Sequence, residues 1–252
     1  MTGTYTQQTI QSGSALISFF EAGEGEALIL LHGNGEDYSC FDKQLPDFSR
    51  HYRCIAIDSR GHGKSTHGSE RLSLRLMAGD VLNVMDALEL KKAHILGFSD
   101  GGNIALYIAL TAPGRVSTLI LSGANADPSG IEPKEFKLML KKRCSLKVQA
   151  FFSRAAERKL EVWELMINEP NFTQTELESI ALPALITAGE HDVILRGHTE
   201  YLSKCLRNSE LIIFGGGSHY VHMEQAMLYN ETVLNFLRQH IQEDDTSGKE
   251  AI

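Results

Sequence analysis

The segment Gly97-Phe98-Ser99-Asp100-Gly101-Gly102 sets a serine between glycines in the pattern G-x-S-x-G. An apolar stretch, Ala93-His94-Ile95-Leu96, precedes it and reads as a short buried strand. Residues 103–110 follow with helical character. Strand, tight turn and helix form the setting of a nucleophile elbow, where the serine sits at the apex of a strained turn and its hydroxyl stands clear of the sheet. Flanking glycines let strand and helix pass closely. The helix N-terminus below the serine offers backbone N–H groups to a developing oxyanion. The chemistry implied is nucleophilic attack on a carbonyl carbon.

A serine hydroxyl is a weak nucleophile near neutral pH and needs a base, which in turn needs an orienting acid. Apolar residues 184–188 run into Gly189-Glu190-His191-Asp192. A loop beyond the carboxyl end of a parallel strand opens on the same crevice as the elbow, so Asp192 is the expected acid, with Glu190 and Asp127 as alternatives. Residues 211–214 lead into Gly215-Gly216-Gly217-Ser218-His219-Tyr220-Val221-His222. His219 is the expected base and His222 the alternative. The two histidines also spell H-x-x-H, but no third ligand accompanies them at metal-site spacing, so no metal and no cofactor are expected. Upstream, His32-Gly33-Asn34-Gly35 follows another apolar run; the Asn34 backbone N–H is expected to share the oxyanion with that of Asp100, and His32 reads as structural. The stretch from Asp58 to Ser65 does not satisfy G-x-x-x-x-G-K-[ST]; it reads as a turn braced by Asp58 and Arg60.

The elements that must hold these residues follow from hydrophobic patterning. Strands are expected at 16–20, 27–31, 52–57, 93–96, 116–121, 184–188 and 211–214, several as unbroken apolar runs of the kind found in parallel strands buried on both faces. Helices are expected at 73–88, 103–111, 199–205 and 227–240. In the first of these, Leu74, Met77, Val81, Val84, Met85 and Leu88 recur at three- and four-residue spacing. The alternation predicts an α/β fold with a mostly parallel sheet of about eight strands flanked by helices, the first two strands forming an antiparallel edge hairpin. It breaks between 126 and 182, where charged helical stretches (135–142, 146–160 and 161–168) read as a short helical cap inserted into a core of residues 1–125 and 183–252. The apolar cap residues Phe136, Leu138, Met139, Leu140, Phe151, Phe152, Trp163, Leu165 and Met166 are available either to line a pocket or to pack the cap. Trp163 is a candidate substrate contact, and equally a candidate dimer contact.

The 252 residues suit one large domain, or one domain with a small insert. A 42% apolar and 22% charged composition is that of a soluble globular protein. The net charge of −8 comes with no basic stripe, which disfavours nucleic acid. No apolar run approaches the roughly 18 residues of a membrane span. The N-terminal residues lack a signal-peptide pattern, and Cys40, Cys54, Cys144 and Cys205 are scattered as free thiols would be. A cytoplasmic location is expected, and the polar tail from Gln242 is expected to be disordered.

Together, His32-Gly33-Asn34-Gly35, Asp58-Ser59-Arg60-Gly61-His62-Gly63-Lys64-Ser65, the Ser99 elbow, Gly189-Glu190-His191-Asp192 and Gly217-Ser218-His219 resemble the α/β-hydrolase superfamily over essentially the whole chain. The resemblance implies the α/β-hydrolase fold, the triad Ser99, Asp192 and His219, and a small-molecule ester-like substrate cleaved through an acyl-enzyme. The form G-x-S-D-G-G, with Ser122-Gly123-Ala124-Asn125-Ala126 beyond the next strand, is similar to valacyclovir hydrolase-like members. That likeness implies Asp100 as an anchor for a substrate α-ammonium group; the competing role is a side-chain cap on the elbow helix. The fold also hosts C–C hydrolases and menaquinone-pathway-type lyases, for which a basic pocket would argue, and ligand-binding receptors.

Overall fold

The computed structural model describes residues 6–240; the tail from Gln242 lies outside them. In chain order the elements are β1 (Thr6–Ser12), β2 (Ala15–Ala22), β3 (Ala27–Leu31), α1 (Leu45–Phe48), β4 (Arg53–Ile57), α2 (Leu74–Ala87), β5 (Ala93–Phe98), α3 (Asp100–Thr111) and β6 (Val116–Ser122). Then come α4 (Pro133–Ala150), α5 (Arg154–Asn168), α6 (Gln174–Ser179), β7 (Ala184–His191), α7 (Arg196–Cys205), β8 (Ser209–Ser218), α8 (Val221–Glu224) and α9 (Ala226–Arg238). The described residues form an eight-stranded sheet in the order β1-β2-β4-β3-β5-β6-β7-β8. From β4 onward along that order every pairing is parallel.

The expected edge hairpin is corrected in its strands. Residues 16–20 and 27–31 do not pair. β2 pairs antiparallel with β1 on one side and β4 on the other, while β3 lies inside the sheet, parallel to both β4 and β5. β1 reads Thr-Gln-Gln-Thr-Ile-Gln-Ser and is largely exposed, so it carries almost no hydrophobic signal. β3, Ala-Leu-Ile-Leu-Leu, is buried at every position, which requires a neighbour on each side and a helix on each face.

Strand side chains alternate between two cores. Ile29, Leu31 and Ile95 pack with α2, α3 and α7, whereas Leu28, Leu30, Leu96 and Phe98 pack with α1 and α9. Between β6 and β7, α4 and α5 form a helical hairpin. The break at Phe151-Phe152-Ser153 divides the stretch expected as one helix from 146 to 160, because the Ser153 hydroxyl accepts the Ala156 N–H and starts α5 afresh. Beyond the hairpin, Phe172, Leu177 and Ile180 return to the main core.

The loop after β4 is tied to this frame by Arg60, 1% exposed. Its guanidinium donates to both carboxylate oxygens of Asp80 at 2.8 and 2.6 Å and to the Ser12 carbonyl at 3.1 Å. The bond to Asp80 links the loop to α2. Asp80→Ala leaves the buried guanidinium only the partly exposed Glu70, on Nη1 at 2.9 Å, as a charge partner, and is expected to lower unfolding stability by about 3 kcal/mol in urea titrations; a loss below about 1 kcal/mol would show the Asp80 pair to be dispensable.

Candidate active site

Ser99 caps α3 at φ 52° and ψ −120°, a conformation that non-glycine residues rarely adopt. The elbow is held by contacts that exclude side chains on either side. A Cβ on Gly97 would lie 2.2 Å from the Gly101 carbonyl oxygen, and one on Gly101 would lie 2.0 Å from that of Leu31. Strand β5 and helix α3 therefore run into β3 with no room for a methyl group, and the strain is fixed at Ser99. The Ser99 amide donates to Ser122 O at 2.8 Å, tying the turn to the end of β6.

His219 follows β8 and Asp192 follows β7. The His219 Nδ1–H donates to Asp192 Oδ1 at 2.7 Å, and the Ile194 amide donates to the same oxygen at 2.9 Å. The donated proton leaves Nε2 as the acceptor on the other side of the ring. Gly123 at the end of β6 is the floor: a Cβ there would meet His219 Cε1 at 2.7 Å and Nδ1 at 2.9 Å. Ser99 and His219 line one cavity of about 340 Å³. A larger cleft of about 1010 Å³ adjoins it, sharing Asn34, Glu36 and Trp163, but contains neither Ser99 nor His219.

The alternatives are occupied elsewhere. Asp127 accepts the Ser129 amide and Glu190 that of Gly216. His222 is fully buried against Phe98, and that burial holds its pKa down at about 4. His32 is buried with its pKa lowered to about 3, first by burial and then by neighbouring His62; its Nε2 accepts the Ser59 amide, so it works as a neutral brace. Asp58 accepts the amides of Tyr38 and Lys64, and Arg60 makes the bridge described above. Among the described residues no group of three His, Cys, Asp or Glu side chains is arranged to hold a metal ion.

Asp100 opens α3, where first-turn amides have no carbonyl partner within the helix. Its side chain is 7% exposed and accepts from Asn34 Nδ2 at 3.0 Å and Asn103 Nδ2 at 3.4 Å. Asn103 also donates to Asn125 Oδ1, so the carboxylate heads a buried amide network. The structure does not show the helix-capping alternative: Asp100 lines the cavity beside Ser99. Burial pushes its pKa up to about 6, the two amide donors and His219 opposing and Glu169 reinforcing the rise. Asn34, considered from the sequence only for its backbone, also donates its side chain to Val162 O of α5 at 2.8 Å and so joins the loop after β3 to the hairpin.

Three further carboxylates line this cavity, and sequence reasoning did not find them: Glu36, Glu135 and Glu169. They come from the loop after β3, from α4 and from the end of α5, and no motif links them. Burial raises the pKa of Glu36 and of Glu169. No Lys or Arg is among the lining residues. The apolar cap residues divide three ways. Met139, Trp163 and Met166 line the cavity, with the Trp163 Nε1–H bonded to Met139 O at 3.0 Å; Leu165 is core; Phe151 and Phe152 stand in solvent.

Residues 26–166 match the family model described as alpha/beta hydrolase fold. The chain belongs to that family. This hydrolase is 27% identical to serine hydrolase BPHL of Homo sapiens over 92% of the chain and 87% of that protein. It is 29% identical to a 2-hydroxy-6-oxononadienedioate/2-hydroxy-6-oxononatrienedioate hydrolase of Burkholderia vietnamiensis, over 91% and 93% respectively. Among solved structures, carboxylesterase CesB from Bacillus subtilis superposes with a TM-score of 0.78 at 22% identity, covering 94% of this chain and 93% of that one, a likeness of fold. No helix of the described residues is long and apolar enough to cross a membrane.

Proposed function

We propose that this hydrolase cleaves carboxylic esters whose acyl part carries a cationic group, an α-amino-acid ester being the simplest. The observation that carries this reading is a cavity lined by four carboxylates and no Lys or Arg, with one carboxylate adjacent to the serine. Burying Asp100, Glu36 and Glu169 is unfavourable to their charged forms, and an ammonium ion among them offsets that penalty.

In this mechanism Ser99 Oγ attacks the ester carbonyl as His219 Nε2 takes its proton. Asp192 keeps the proton on Nδ1 and stabilises the imidazolium. The amides of Asn34 and Asp100 receive the oxyanion. Collapse expels the alcohol, which takes the proton from His219. Water, activated by the same histidine, then releases the acid and restores Ser99. The ammonium group rests on Asp100, so the charge next to the oxyanion is neutralised where it would otherwise oppose attack.

The test is kcat/KM for phenylalanine benzyl ester against its desamino counterpart as a function of pH. Both reactions need His219 neutral, so their ratio isolates the ammonium contact. Asp100 must be ionised, and the ratio should therefore be high above about pH 6 and fall as pH drops through it. It should fall again above about pH 8, where the substrate amine loses its proton. A ratio near unity at every pH would refute the anchor.

A second reading, hydrolysis of a C–C bond, is favoured by relatives such as the Burkholderia enzyme, whose name denotes a dicarboxylate substrate. The acidic lining opposes such a substrate. Turnover of a 2-hydroxy-6-oxodienoate with none of either ester would establish it instead.

A further inference from the structure

The free end of the α4–α5 hairpin has the chemistry of a membrane-surface contact. Phe151 and Phe152, which join the two helices, are 90% and 88% exposed, and nearby Val148 is 64% exposed. Around them, residues 141–159 hold seven Lys and Arg against a single carboxylate, Glu157, in a chain whose net charge is −8. Arg143 and Lys147 turn to Glu164. Lys141, Lys142, Arg154, Arg158 and Lys159 are exposed and carry no ion pair with any described residue.

We propose that this end docks the hydrolase on an anionic lipid bilayer, with Phe151 and Phe152 entering the boundary between headgroups and acyl chains. The surrounding cations meet the acidic headgroups. Charge complementarity selects an anionic surface. Size selects lipid over protein: two adjacent rings at a helical turn offer far less than the roughly 800 Å² per partner of a specific protein interface, whereas shallow insertion of aromatic side chains flanked by Lys and Arg is how interfacial segments hold a membrane. On these helices Glu135, Met139, Trp163 and Met166 line the Ser99 cavity, and Lys142, Leu146, Gln149, Arg158 and Lys159 reach the adjoining cleft; neither lining includes Phe151 or Phe152, so altering the two rings leaves both intact.

The experiment is co-sedimentation of the full chain with vesicles of phosphatidylcholine alone or with about 30 mol% phosphatidylserine. Binding is expected to the anionic vesicles, to weaken strongly in about 0.5 M NaCl, and to be slight on neutral ones. Phe151→Ser/Phe152→Ser should reduce partitioning at least about tenfold, and Lys141→Gln/Arg154→Gln, two cations that line neither the cavity nor the adjoining cleft, should reduce it further, while both variants hydrolyse a soluble ester at the unaltered rate. Absence of binding to either vesicle would overturn the proposal. So would binding indifferent to the phenylalanines, or a concentration-dependent dimer abolished by the Phe151→Ser/Phe152→Ser change, which would make this end a contact between copies.

Discussion

Ser99→Ala should lower kcat for a benzyl ester by at least about 10⁴-fold with the fold unchanged. Serine, histidine and acid act as a unit, so removing the attacking oxygen forfeits what His219 and Asp192 contribute; the oxyanion amides and substrate binding remain as the residual catalyst. Labelling by a fluorophosphonate should vanish in parallel. The strain at Ser99 supplies a second readout. At φ 52° and ψ −120° a Cβ is unfavourable, so Ser99→Gly should be as inactive as Ser99→Ala but more stable, by roughly 1 kcal/mol in thermal unfolding. Retained turnover in Ser99→Ala would end the assignment of the nucleophile.

Asp100→Asn should cut kcat/KM for the amino-acid ester by about a hundred- to a thousandfold, the range for removing one partner of a desolvated charge pair. The desamino ester, which brings no cation to neutralise Asp100, should keep its rate or gain. Stability should move the opposite way. Folding raises the Asp100 pKa from 3.8 to about 6, so the folded state holds the proton more tightly and ionisation opposes folding. That penalty is absent below the unfolded value, grows between the two and is complete above about 6, where it amounts to roughly 3 kcal/mol. The asparagine variant should therefore unfold at higher temperature than the parent at about pH 8 and at the same temperature below about pH 4, provided the amide finds equivalent partners. Equal losses on both esters, or a lower melting temperature at pH 8, would show Asp100 to be a structural part of the elbow.

How much of this could be read from the chain depends on how local each signal is. The elbow was legible because its requirements fall within six consecutive residues, each glycine answering to a neighbour a few positions away or to the adjacent strand. The parallel strands were legible because burial on both faces demands unbroken apolar runs. β1 was not, because an edge strand made of Thr, Gln and Ser satisfies its hydrogen bonds without a hydrophobic pattern, and missing it put β3 in the wrong pairing. Phe151 and Phe152 read as cap apolar residues with a place to pack; their position at a helix junction leaves them in water.

The sequence by itself determined the fold class and the order of the loops bearing Ser99, Asp192 and His219, since motif spacing and strand patterning are properties of contiguous residues. Only the tertiary structure decided the His219–Asp192 bond, the Asn34–Asp100 contact and the meeting of Glu36, Asp100, Glu135 and Glu169 around one cavity. Those four carboxylates are separated by up to 133 positions in the chain. Pattern within a segment sets what each element is. Which side chains share a low-dielectric space, and hence which charges must be matched by a substrate, depends on how the elements are brought together.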